Sequence, residues 1–205
     1  MTTVAVVDHG AGNLVSIAQG LERTGATVVI AETPGDLVRA DGVVLPGVGS
    51  TGAAMDRLTD RGFVAPLRGL DLPLLGICVG LQLFFGASDE DGAECLGLID
   101  GRVEKLSNAP KLPHIGWNDL EQVRPDPLLA GIGNGTPFYF VHSYAAAPTD
   151  DSVVVARAVH GGPFVAVARS GRRVGVQFHP ERSGSDGLRI LSNFIVECRE
   201  AADAA

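Results

Sequence analysis

A cysteine set between glycines, and a histidine–glutamate pair about a hundred residues further on, are the parts of this chain best suited to covalent chemistry. Cys78 lies in GICVGLQ (76–82), directly after the apolar run LDLPLL, and His179 and Glu181 flank Pro180 in GVQFHPE (175–181). A thiol attacks an acyl carbon efficiently only when a base takes its proton and a further group holds that base in the right tautomer. Cys78, His179 and Glu181 supply nucleophile, base and orienting carboxylate, the set needed for acyl transfer through a thioester. Each has a plainer reading by itself: free cysteine is among the most buried residue types, and a lone histidine is usually structural. Their occurrence together favours a site.

Such a site also needs donors for the oxyanion that forms on attack, and losing one donor costs about 3 kcal/mol of barrier. LPGVG (45–49) offers Gly47, Val48 and Gly49 on a glycine-rich turn whose N–H groups can point inward. The amide of Val79, directly after the nucleophile, is a second source. Gly76 and Gly80 suit a tight turn with strained backbone and close chain approach. A helix N-terminus behind Cys78 would aim further N–H groups at the sulfur. Pro180 ends the strand before it, placing His179 and Glu181 at a strand end.

The elements that must position these residues differ between the two halves. VAVVD (4–8), TVVIA (27–31), GVVLPG (42–47) and LPLLGIC (72–78) are short apolar runs, with helical stretches such as Leu14–Thr24 and Thr51–Leu58 between them. That alternation predicts βαβ units on a buried parallel sheet, with a site beyond the carboxyl ends of its strands. From Leu98 onward the runs GLIDGRVEKL, FYFV, SVVVARAV, PFVAVARS and RRVGVQF are broken by Gly, Pro, Asn and Asp. They predict antiparallel strands and hairpins added to the same core. Leu188, Leu191, Ile195 and Cys198 form one apolar stripe of a final helix over 187–201, with the closing AADAA expected to fray. The expectation is an α/β fold with an open, mixed, mostly parallel sheet and flanking helices, in one domain over 1–205.

Composition narrows the partners. A formal charge of −8, with only 16 Lys and Arg scattered singly, argues against nucleic acid or an anionic membrane and for a small-molecule substrate. The apolar stretch from Leu72 to Ala87 is too short and too interrupted to span a bilayer. MTTVAVVDHG lacks the pattern of a secretory signal, and three cysteines without CxxC spacing suit a reduced, cytoplasmic setting. Cys95 and Cys198 read as structural, and His9, His114 and His160 as surface or packing residues. DHGAGN (8–13) approaches a dinucleotide fingerprint, but Val15 occupies the third glycine position, so no nucleotide is expected and Asn13 or Ser16 marks a helix start. Cys78, His142, His179 and Glu181 lack the local spacing of a metal motif, so neither metal nor cofactor is expected.

PGxG, GxCxGxQ and xxFHPE occur here in the order found in the class I (triad) glutamine amidotransferases, which this chain resembles. The resemblance runs from Asp8 to Phe194 and implies their flavodoxin-like fold. DxGxGN, PHIGWN, FVHSY and QFHPExSGxxGxxxLxNF are most similar to members whose partner, a (βα)8-barrel cyclase subunit, makes imidazole glycerol phosphate and aminoimidazole carboxamide ribotide in histidine biosynthesis. The resemblance implies that Cys78 attacks the side-chain amide of L-glutamine, with His179 as acid and base and Glu181 holding His179. It implies an oxyanion loop at Gly47, Val48 and Gly49, and substrate binding by Gln82 and the Ser143–Tyr144 backbone. Asn13, Trp117, Asn118 and Arg182 fall at positions of the partner interface. The pattern departs at His9, Asp100, Arg182 and Ala145, where tyrosine, proline, lysine and an aromatic residue are common. The alternatives are a glutaminase subunit of another class I amidotransferase, a stand-alone hydrolase, or a catalytically silent binding module.

Overall fold

Strands buried on both faces have no polar side to show, so they read as unbroken apolar runs. Gly42–Leu45 and Leu74–Ile77 are such strands, buried at every position in the computed structural model, which describes residues 2–204. β1 (Thr3–Val7), β2 (Thr27–Ala31), β3 (Gly42–Leu45) and β4 (Leu74–Ile77) pair in parallel in the order β2-β1-β3-β4. The crossovers carry α1 (Leu14–Arg23), a 3-10 turn (Pro34–Arg39), α2 (Thr51–Asp60) and α3 (Val64–Arg68). α4 (Val79–Gln82) follows Cys78 and lasts one turn.

The second half supplies the antiparallel strands and hairpins expected of it. Only part of it joins the main sheet. β5 (Ala87–Ser88), β6 (Gly101–Lys105) and β10 (Tyr144–Pro148) make a separate three-stranded sheet, and β7 (His114–Asp119) and β9 (Pro137–His142) a separate antiparallel ribbon. β8 (Glu121–Gln122), β11 (Val154–His160), β12 (Gly162–Ser170) and β13 (Arg173–Val176) extend the parallel sheet to eight strands, β2-β1-β3-β4-β13-β12-β11-β8. β13 was expected among the antiparallel strands, yet beside β4 it runs parallel, with Gly175 opposite Gly76 and Val176 opposite Ile77. The tight turn at Gly171 (φ 58°) sets β13 antiparallel to β12, and that reversal turns its direction to match β4. β13 is therefore the seam between the halves, and its carboxyl end leaves the sheet beside that of β4.

α5 (Gly184–Asp203) starts earlier and runs further than its apolar stripe predicts. Residues 201–203 are helical rather than frayed, in keeping with the high helix propensity of alanine, while Ala205 lies outside the described residues. α5 packs on α1 where Gly20 leaves room for Leu191, since a Cβ there would lie 2.7 Å from Leu191 Cδ1. Cys198 fills the space that Gly42 leaves open, which gives this buried thiol a packing role. Arg169 of β12 ties α5 to the 127–129 turn through paired bonds of 2.7 and 2.8 Å to Asp126 and 2.8 and 2.9 Å to Glu197.

Candidate active site

Cys78 is the first residue past β4 and takes φ 56° and ψ −110°, a left-handed backbone that a side chain adopts only under constraint. The strain expected of the flanking glycines falls on the cysteine itself, and the glycines serve close approach. A Cβ on Gly76 would lie 2.7 Å from the Gly80 and Leu81 backbone, one on Gly80 would overlap the Leu45 carbonyl, and one on Gly175 would meet Leu81. α4 is thereby seated directly on β3, β4 and β13, and Cys78 is held just past the carboxyl end of the central strand β4, with its N–H bonded to Val176 O at 2.8 Å.

The sulfur faces a cavity of about 170 Å³ lined by Val48, Gly49, Val79, Gln82, Glu90, Val141 to Tyr144, His179 and Arg182. His179 reaches it because the segment after β13 stays extended, at φ −102° and ψ 95°, and its N–H is bonded to Tyr139 O at 2.9 Å. His179 Nδ1 lies 2.9 Å from Glu181 Oε1, whose side chain is buried. Burial works to lower the His179 pKa, but hydrogen bonds and charge attraction from Cys78 and Glu181 outweigh it and raise the value well above that of an ordinary histidine. His179 and Glu181 are thus bonded to each other, and His179 lines the cavity that the Cys78 sulfur faces.

Behind the sulfur runs a polar chain whose direction follows from its ends. Tyr144 O can only accept, so Gln82 Nε2 donates to it at 2.8 Å and to Gln177 Oε1 at 3.1 Å. Gln177 Nε2 is then turned toward Cys78 Sγ at 3.6 Å. A second chain is fixed in the same way. His142 Nδ1 donates to Tyr144 O (2.9 Å), so its Nε2 accepts from His114 Nδ1 (3.2 Å), and His114 Nε2 accepts from Asn118 Nδ2 (3.4 Å). Burial lowers the pKa of both His114 and His142 to about 4, so the two rings are neutral. The Ser143–Tyr144 backbone is held from both sides.

His9 was expected to be a surface or packing residue and is fully buried, with Nε2 donating to Pro46 O at 2.8 Å. It braces the start of the 46–49 loop. Glu90 borders the cavity and takes the α2 N-terminus at Thr51 N (3.1 Å), just beyond that loop. Gly49 has φ 86° with no neighbour within 4 Å of a Cβ, and Val48 is 41% exposed, so the tip of the loop is lightly packed.

At the mouth, Trp117 is 58% exposed, its ring edge-on to Tyr139 (6.0 Å), and the Arg182 guanidinium lies over Tyr139 at 4.3 Å. Trp117 does not fill the core. Asn118 is half-buried and also donates to Val159 O at 2.8 Å. Asn13 is exposed at the start of α1, with no side-chain cap bond, on the helix that packs against the 180–182 turn. Gln177, Glu90 and Tyr139 were not singled out from the sequence. Gln177 stands within the QFHPE motif, and its period-two relation to His179 was the available signal. Among the described residues, no group of three or more His, Cys, Asp or Glu is arranged to hold a metal ion, and no helix is long and apolar enough to cross a membrane.

A strained cysteine at the end of a parallel strand, sharing a cavity with a histidine–carboxylate pair, is the arrangement that acyl transfer through a thioester needs. The chain belongs to the family described as glutamine amidotransferase class-I, whose model matches residues 5–198. It is more particularly similar to proteins named imidazole glycerol phosphate synthase subunit HisH. That of Xanthomonas euvesicatoria is 48% identical over 197 residues, 95% of this chain and 98% of that protein. That of Moorella thermoacetica is 43% identical over 208 residues, covering 100% and 99%. Among solved structures, one described as a glutamine amidotransferase aligns with a TM-score of 0.76 at 20% identity, covering 96% of this chain and 98% of that one. PurLQS from Thermotoga maritima aligns at 0.72 and 23% identity, covering 95% and 98%. The expected α/β amidotransferase fold is the one observed.

Proposed function

We propose that this chain is the glutaminase subunit of an imidazole glycerol phosphate synthase, acting in histidine biosynthesis. The reading takes 1–205 as one amidotransferase domain in a cytoplasmic enzyme, supported by a main sheet that draws strands from both halves. The observation that carries the chemistry is the register of β4 and β13, which puts Cys78 and His179 on neighbouring strand ends.

In this reading the Cys78 thiolate adds to the carboxamide carbon of L-glutamine, and N–H groups of Gly47, Val48, Gly49 and Val79 hold the oxyanion. His179, kept protonated by its neighbours, gives its proton to the nitrogen as the C–N bond breaks, and ammonia leaves a thioester. His179 then takes a proton from water, hydroxide attacks the acyl carbon, and the C–S bond breaks to release the glutamate product and restore the Cys78 thiolate beside protonated His179. Glu181 holds His179 throughout. Gln82, with both N–H donors already engaged, presents only its oxygen to the substrate, so with the Glu90 carboxylate it suits the ammonium end of glutamine. Trp117, Asn118, Asn13 and Arg182 form the docking face for a (βα)8-barrel cyclase subunit, which receives the ammonia.

The decisive assay mixes the chain with that cyclase and follows glutamine-dependent formation of imidazole glycerol phosphate. Cys78→Ala is expected to lower glutamine hydrolysis at least about 10³-fold while leaving turnover with added ammonium salt intact. Unchanged hydrolysis would refute the triad. Because the 48–49 tip is lightly packed, cyclase docking is expected to raise the glutaminase rate; equal rates with and without it would remove that regulatory element.

A further inference from the structure

We propose that Gln177 is a positioning residue of this site, donating to the nucleophilic sulfur through Nε2 while its Oε1 fixes the orientation of Gln82. The substrate arm of this inference rests on the glutaminase reading; the sulfur arm does not. Gln177 is fully buried, follows β13 directly, and is anchored by its own N–H to Ala166 O at 2.8 Å. In extended backbone, residues two apart share a face; Gln177 Nε2 lies 3.6 Å from Cys78 Sγ, and His179 lines the cavity that the sulfur faces. One brings a base and the other a neutral donor.

The amide has one orientation open to it. Reversed, its NH₂ would face the NH₂ of Gln82, which Tyr144 O has already turned toward it, and its oxygen would face the sulfur. An oxygen there would repel a thiolate, whereas an N–H stabilises it. Held as it is, Gln177 occupies the second N–H of Gln82, which leaves Gln82 Oε1 free to accept from a substrate donor.

The test is the pH profile of iodoacetamide alkylation at Cys78, read on its own peptide by mass spectrometry. The other thiols are separated by peptide and by burial, which pushes Cys95 up to about 11 and Cys198 up to about 12. His179, His142, Glu90 and Arg182 also border the sulfur's cavity and are unchanged in every variant, so the difference in profile belongs to position 177. Gln177→Met keeps side-chain length and removes both polar atoms. It is expected to move the alkylation midpoint upward by about one pH unit, a roughly tenfold loss of reactive thiolate below it. With the cyclase present, the same variant should lower kcat about tenfold and raise the glutamine KM several-fold.

Gln177→Glu keeps an acceptor for Gln82, so its KM should stay near that of the unaltered protein while the alkylation midpoint still rises. A lowered melting temperature with unchanged alkylation profile, kcat and KM in both variants would mean packing alone and would overturn the proposal. If Gln177→Met does not fold, an unaltered alkylation profile in Gln177→Glu overturns it equally. Alkylation needs no glutamine, so a shifted profile beside a Cys78→Ala variant that still hydrolyses glutamine would sink the glutaminase reading and leave the sulfur contact standing.

Discussion

The carboxyl ends of β4 and β13 and the β7–β9 ribbon border the same cavity, but they are built on opposite principles. The first is made by backbone: Gly76, Gly80 and Gly175 let α4 sit on the sheet, and Cys78 has little freedom left. The second is made by side chains, with Trp117 and Ile115 exposed on one face and His114 and His142 buried on the other. They meet at the 179–183 turn, where Tyr139 accepts from His179 N at 2.9 Å and donates its own N–H to Ser183 Oγ at 3.0 Å. The strand ends are thus fixed by backbone packing, whereas the ribbon keeps one exposed face and one buried polar face.

The largest expected effect breaks the backbone side. Gly80→Ala would drive a methyl group into the Leu45 carbonyl, and we expect a loss of at least about 4 kcal/mol or no folded protein, read by urea denaturation. A well-folded, active Gly80→Ala variant would show that α4 can shift and that the turn is not rigid. The next effect belongs to the ribbon. Burial, with the charges of His114, His160 and His179, lowers the His142 pKa from 6.5 to about 4 against the opposing bond to Tyr144 O. Between those values the unfolded chain binds a proton that the folded one refuses, so stability falls as pH drops, by about 1.4 kcal/mol per unit for each such histidine. Urea midpoints measured from pH 7 to 4 should show this slope, and His142→Asn should flatten it. The smallest effect should leave the fold alone: Trp117→Ala is expected to weaken cyclase binding by about 2 kcal/mol, roughly 30-fold in Kd, without moving Tm. Calorimetric titration would check it, and a large drop in Tm instead would place Trp117 with the core.

Cys78, His179 and Glu181 stood out as candidates because each sits in a short motif whose local shape follows from glycine or proline. The apolar runs that became β1, β3 and β4 were legible for a similar reason, burial on both faces leaving a continuous pattern, while β2 keeps its β-branched run as a partly exposed edge strand. The direction of β13 was not, since residues 173–176 carry the same alternation whichever way their neighbour runs. Nor was the separation of β7 and β9 from the main sheet, because pairing partners lie far apart in sequence. His9 was read only as a surface or packing residue and Gln177 was not singled out, because an imidazole or an amide has no evident task until its partner is known, here Pro46 O and Cys78 Sγ.

By itself the sequence determined the chemical kit and the burial of the strands that carry it, since reactivity and hydrophobicity belong to residue types and their near spacing. Only tertiary structure decided that β13 lies beside β4, that Gln177 turns its nitrogen toward the sulfur, and that Trp117 faces outward. Those outcomes depend on contacts between residues distant in the chain. Hydrogen-bond direction and strand adjacency are settled only when such residues meet.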